Sequence, residues 1–223
     1  VIRNPVSNQN SSVTSTVTAN GNSTLSSTTI GSNYSVALID SMQLPNVNQR
    51  FDHMAIDPST NLVFIAARGN NSVYVANVVS KVVTHVITGL NEPQGVSYVP
   101  QYNKLFVSNG GDGTVAVYDV GNFSLIKTLT FSGDADNMRY DPNVGLLYVG
   151  FGEGDQSGIG IINVSSDEMI GAIPLDGHPE AFELEQNGTR IFVNVPTASS
   201  IEVLDRASRK VLSTWPLTSA LAN

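Results

Sequence analysis

The chain has 223 residues, no cysteine, a formal net charge of −8 at pH 7, and charged side chains at only 13% of its positions. That balance excludes nucleic-acid binding through basic patches, and the lack of cysteine removes disulfides as a guide to compartment. No run of about 18 apolar residues offers a membrane span, so the class is a cation-compatible, weakly charged globular protein.

Residues 1–33 are mostly Ser, Thr, Asn and Gly, and Arg3 is their one charged side chain. Such a stretch has too little apolar surface to fold alone and reads as a flexible N-terminal arm. The first residue, Val1, fits a product of signal removal or a trimmed chain. Within the arm, Ser12-Val13-Thr14-Ser15-Thr16-Val17-Thr18 alternates small polar and β-branched residues and can become a strand on docking. Ser35 to Leu44 then reads as a strand in its own right.

From there the chain repeats itself four times. Segments starting at Asp52, Gln94, Asp136 and Glu180 are offset by 42, 42 and 44 residues. Each opens with a short half-apolar stretch, turns, and continues into an apolar run such as Leu62-Val63-Phe64-Ile65-Ala66 or Lys104-Leu105-Phe106-Val107-Ser108. Period-2 alternation follows, as in Val115-Ala116-Val117-Tyr118-Asp119, and then a β-branched run such as Val82-Val83-Thr84-His85-Val86-Ile87. Turn residues separate the runs, among them Gly69-Asn70-Asn71 and Asn187-Gly188. A repeat of this length made only of strands predicts propeller blades. The expected fold is all-β: a β-propeller of four blades, each of four antiparallel strands, plus the N-terminal strand and arm. Residues 34–223 form the propeller, with blades about 51–90, 93–131, 135–175 and 179–217. Phe64, Phe106, Tyr148, Phe192 and Trp215 are expected to pack between blades.

Leu105-Phe106-Val107-Ser108-Asn109, followed by Gly113-Thr114-Val115-Ala116-Val117-Tyr118-Asp119, resembles the YVTN-type β-propeller repeat, as do the counterparts in the other repeats. Gln94 to Pro100 and Gly133 to Asn137 are similar to secreted members of that family. The resemblance covers residues 34–223 and implies the fold; propellers host many unrelated activities, so it implies little about function. Members usually carry about seven blades, within the common range for propellers, and an N-terminal strand usually completes the last one. Here the last blade has its own outer strand at 209–217, so the strand over 35–44 is surplus. It has three open fates: a fifth strand on its own ring, pairing with a neighbouring molecule, or use by missing blades of a longer propeller. Strand donation to a neighbour is head to tail and builds filaments unless the rotation closes.

Two site readings follow from the repeat. Asp52, Gln94, Asp136 and Glu180 hold equivalent positions at the starts of the innermost strands and would ring the channel. Their oxygens suit a hard cation such as Ca²⁺; the plainer reading is contact with channel water and backbone amides. If the first and fourth blades abut, Asp52, His53, His178 and Glu180 gather at the channel mouth as an acid–base or metal cluster; otherwise His53 is a half-buried strand residue and His178 a loop residue. His85 belongs to an outer strand and solvent. No Gly-x-Ser-x-Gly elbow occurs, and Gly150-Phe151-Gly152-Glu153-Gly154 is a loop between strands, not a phosphate cradle. Asn-x-Ser/Thr sequons stand at Asn10, Asn22, Asn33, Asn70, Asn122, Asn163 and Asn187. Glycans there would solvate a surface poor in charge.

The expected function is a non-enzymatic extracellular or cell-surface propeller. It assembles with copies of itself through the arm, with glycans or surface proteins as further partners, and Ca²⁺ as its one candidate cofactor. The alternative is an enzyme or ligand-binding propeller, or part of a larger one, with a metal or acid–base site at the channel mouth.

Overall fold

The computed structural model describes residues 28–29, 35–38, 40–47 and 50–218. The arm segment 12–18 and the sequons at Asn10, Asn22 and Asn33 lie outside them. Among the described residues no helix is long and apolar enough to cross a membrane. The chain divides into two units, Val1–Gln43 and Leu44–Asn223, so the second unit begins at Leu44 and not at 34.

In the first unit β1 (Thr28–Thr29) pairs antiparallel with β2 (Ser35–Val36). The strand expected over 35–44 therefore extends no further than Val36: residues 37, 38 and 40–44 carry no strand. An extended segment persists as a strand only where its backbone groups find a ladder partner, and only two residues do.

The second unit holds four four-stranded antiparallel sheets, each a simple meander. Blade 1 is β3 (Met54–Asp57), β4 (Leu62–Ala67), β5 (Ser72–Asn77) and β6 (Val82–Thr88). Blade 2 is β7 (Pro93–Val99), β8 (Lys104–Asn109), β9 (Thr114–Asp119) and β10 (Leu125–Thr130). Blade 3 is β11 (Ala135–Asp141), β12 (Leu146–Phe151), β13 (Gly158–Asn163) and β14 (Glu168–Pro174). Blade 4 is β15 (Ala181–Leu184), β16 (Arg190–Val195), β17 (Ser200–Asp205) and β18 (Lys210–Pro216). The glycine-rich stretch around Gly152 lies between β12 and β13.

Local chemistry fixes the turns. The Asn or Asp ending the third strand of each blade accepts backbone N–H bonds from the following turn: Asn77 from Val79 and Ser80, Asp119 from Gly121, Asn163 from Ser165, and Asp205 from Ser208. These side chains mimic a backbone acceptor two or three residues on, which nucleates a tight reversal.

Three clusters of buried apolar residues hold the blades together. They lie between blades 1 and 2 (Phe64, Val75, Leu105), between blades 2 and 3 (Phe106, Val117, Leu147), and between blades 3 and 4 (Tyr148, Ile161, Ile191). A smaller cluster covers part of the leading face of blade 1, where Leu44 and Val47 pack on Ile65, Ala67 and Tyr74.

Equivalent positions reveal the shape. Val96, Met138 and Phe182 are 7%, 6% and 3% exposed because a preceding blade covers each, whereas Met54 in blade 1 is 66% exposed. Ile87, Leu129 and Ile173 are 5%, 9% and 0% exposed beneath a following blade, whereas Trp215 in blade 4 is 48% exposed. The four blades form an arc with two open end faces. Among the described residues no apolar cluster joins the first blade to the fourth, as a closed four-blade ring would require. Phe64, Phe106 and Tyr148 are buried between blades as expected, while Phe192, on the open face of blade 4, is half-buried beside Trp215.

Candidate axial site

The inner strands of blades 2 and 3 begin with a one-residue register shift, between Pro93 and Val96 and between Ala135 and Met138. A bulge turns side chains out of the regular alternation, and here it falls on Gln94-Gly95 and Asp136-Asn137. Blade-to-blade bonds end on the carbonyls of these ring positions. The His53 N–H donates to Gln94 O (3.2 Å), Ser108 Oγ donates to Asp136 O (2.5 Å), and Asn137 Nδ2 donates to Glu180 O (2.6 Å). Gly95 is required at its place: a Cβ there would lie 2.3 Å from Asp136 O and 2.5 Å from Ser108 Oγ.

That packing brings the rim of blade 1 to the rim of blade 3. One potential ligand atom from each of Asp52, His53 and Asp136 falls within a span of 4.8 Å. Asp52 is held from two sides: His53 Nδ1 lies 2.9 Å from its Oδ1, and Arg50 Nη2 lies 3.0 Å from its Oδ2. Asp136 is 7% exposed. Asn137 Nδ2 reaches it at 3.3 Å, and its Oδ1 has no hydrogen-bond partner among the described residues. The Asn137 Oδ1 is likewise buried without one.

The electrostatics follow. Burial pushes the Asp136 carboxyl up to about 6, with His53 pulling the other way. The Asp52 carboxylate beside it raises His53 above its ordinary value against the cost of burial, and Asp136 adds to the rise. Burial also raises the neighbouring Asp134, opposed by His178 and Arg68.

Of the four ring residues, the structure thus joins Asp52 and Asp136. Gln94 spends its amide on Asp134, Nε2 to Oδ1 at 2.6 Å, and Glu180 contributes its carbonyl to Asn137. Of the second group, Asp52 and His53 are together. His178 instead sets Nδ1 2.7 Å from Gly152 O, and no hydrogen bond or ion pair joins Asp52 or His53 to His178 or Glu180 among the described residues. The open arc is the reason. Asp134 and Asn137 were not singled out as site residues by sequence; the polar run Asp134-Ala135-Asp136-Asn137 at the start of an inner strand was the available signal. His85 is exposed and stacks on Phe123 at 4.3 Å between ring centroids. Of the described sequons, Asn122 and Asn187 are exposed, Asn163 is half-buried with Oδ1 capping its turn, and Asn70 donates to Asn46 O.

A cleft between blades 3 and 4 is lined by Arg139, Asp141, Glu183, Glu185 and Arg206. Its charges pair with one another, Arg139 with Glu183 at 3.0 Å and Arg206 with Asp141.

Neither a protein-family profile nor a curated protein sequence matches this chain. Among solved structures it is similar to Kuenenia stuttgartiensis hydrazine synthase, with a TM-score of 0.68, 20% sequence identity, and coverage of 79% of this chain and 52% of that one. The likeness is one of fold, and the fold is a propeller of all-β blades. The chain spans about half the length of that relative.

Proposed function

We propose that this chain is a non-enzymatic binding and assembly part of an extracellular or cell-surface β-propeller of the YVTN type, and that it works by docking further blades onto the two ends of its arc. One observation carries the reading: Met54 and Trp215 are 66% and 48% exposed at positions that every internal blade junction buries. Ile56, at 58% exposure, widens the leading face. Covering a large apolar side chain contributes about 1.5–3 kcal/mol, so a few such residues favour a partner of the same repeat geometry. The blades that cover them come from a larger propeller or from a neighbouring copy. The low charge, the exposed Asn122 and Asn187 sequons and the Ser/Thr-rich arm support an extracellular setting. The arm supplies a second, strand-donating contact between copies.

The test is association of the purified chain by light scattering across a concentration series. Concentration-dependent association that Met54→Lys or Trp215→Glu weakens is expected, while removal of residues 1–33 reports the arm's share separately. A chain that stays monomeric at every concentration, with or without these substitutions, sinks the proposal.

A further inference from the structure

The structure assigns a divalent transition-metal site of the zinc type to Asp52, His53 and Asp136, where blades 1 and 3 meet at the axis; we propose that the chain takes up one such ion there. This goes beyond the docking of blades and does not depend on it. Two observations point to it. The first is the donor set, two carboxylates and one imidazole with a ligand atom from each inside 4.8 Å. The second is independent of that proximity: Asp136 is 93% shielded from solvent (7% exposed) and its Oδ1 has no donor among the described residues. A buried carboxylate oxygen without a partner forfeits its hydration with nothing in exchange, and a cation supplies what is missing.

The chemistry of the donors chooses the metal. Ca²⁺ and Mg²⁺ prefer oxygen throughout, whereas an imidazole nitrogen beside carboxylates suits Zn²⁺ and its neighbours in the first transition row. Donors about 2.0–2.2 Å from a tetrahedral zinc stand about 3.4 Å apart, a spacing inside the 4.8 Å span of the three ligand atoms. At 2.9 Å, His53 Nδ1 and Asp52 Oδ1 stand closer than that spacing and separate slightly to share an ion. Asn137, beside Asp136 and with a buried Oδ1 that has no hydrogen-bond partner among the described residues, offers a fourth, neutral oxygen. The Ca²⁺ reading of the ring positions competes with this one, and the relative affinities for Ca²⁺ and Zn²⁺ decide between them.

The test is titration of the chelator-stripped full chain with ZnCl₂ by calorimetry, with thermal melts and, after CoCl₂ loading, the visible spectrum. One ion per chain, a higher melting temperature and a Co²⁺ band typical of nitrogen and oxygen ligation are expected. Asp136→Asn is isosteric and removes an unpaired buried charge, so it should fold at least as stably as the parent yet bind zinc at least about tenfold more weakly, the equivalent of about 1.4 kcal/mol. His53→Gln should abolish the cobalt band, and His85→Ala should change nothing. No uptake of zinc, equal affinity in Asp136→Asn, or tighter binding of Ca²⁺ than of Zn²⁺ would overturn the assignment. Light scattering on the same samples separates the two proposals: a protein that associates but takes no metal refutes this site alone.

Discussion

Met54 and Met138 are the same residue at the same place in the repeat, yet one is 66% exposed and the other 6%. The difference lies wholly outside each blade. Met138 has blade 2 in front of it, and Met54 has no blade there. A propeller repeat therefore encodes a sheet with two sticky faces, and burial is decided by whether a neighbour is present. The interior junctions of this chain behave as core and its two ends behave as interface.

The largest expected effect sharpens that contrast. Phe106 is fully buried between blades 2 and 3, so Phe106→Ala should cost about 3–5 kcal/mol in chemical denaturation. Phe192 occupies the equivalent place on the open face of blade 4, half-buried, with Trp215 at 5.8 Å between centroids and the Arg190 guanidinium 5.1 Å from its ring. Its alanine variant should cost less than half as much. The methionine pair follows: Met138→Ala should destabilise by about 2–5 kcal/mol, and Met54→Ala by no more than about 0.5 kcal/mol. Equal losses in either pair would mean that the end faces are already covered in solution.

A smaller effect contrasts two ion pairs at equivalent positions. Lys104 Nζ crosses from blade 2 to blade 3, meeting Asp167 at 2.7 Å with the side chains 13% and 9% exposed, and also Val164 O at 3.1 Å. Its counterpart, Arg190, pairs with Glu185 inside blade 4, and the side chains are 46% and 25% exposed. Breaking a buried pair costs about 3–5 kcal/mol. Because Lys104 keeps a carbonyl, Asp167→Asn should cost about 2–3 kcal/mol, whereas Glu185→Gln, whose pair is screened by solvent, should cost clearly less. Urea melts of the two variants decide it.

Most of the fold was legible because propeller signals are local. Four repeats at 42- to 44-residue offsets place sixteen strands, and the turn-capping Asn and Asp residues mark where each meander reverses. Which residues would meet across the axis was less legible. Asp52 and Asp136 were readable as equivalent positions, but the approach of His53 to Asp136 depends on Gly95 letting the backbones close, and on an arc that does not bring blade 4 round to blade 1. Neither is visible in spacing. The segment from Ser35 to Leu44 shows the limit from the other side. Its composition favours a strand, but a strand needs a partner, and Leu44 and Val47 spend their apolar surface on blade 1 instead.

The smallest effect tests the interior itself. Tyr74, Ala116 and Gly160 hold one position in the third strands of blades 1 to 3, and blade 4 has Glu202 there, 1% exposed. Its Oε1 accepts the Asp176 N–H at 3.1 Å. Burial raises its pKa, the Asp176 N–H opposes that rise, and the nearby Asp176 carboxylate adds to it. A carboxyl raised in the folded state binds its proton more tightly there than in the unfolded chain. Its contribution to stability is full below the ordinary glutamate range and is lost as pH rises through the shifted value. Glu202→Gln retains an oxygen for the Asp176 N–H and cannot ionise. Thermal melts from pH 4 to pH 8 should therefore show the variant gaining on the parent as pH rises. Melting curves that stay parallel across that range would mean that burial does not hold the proton on Glu202 at this junction.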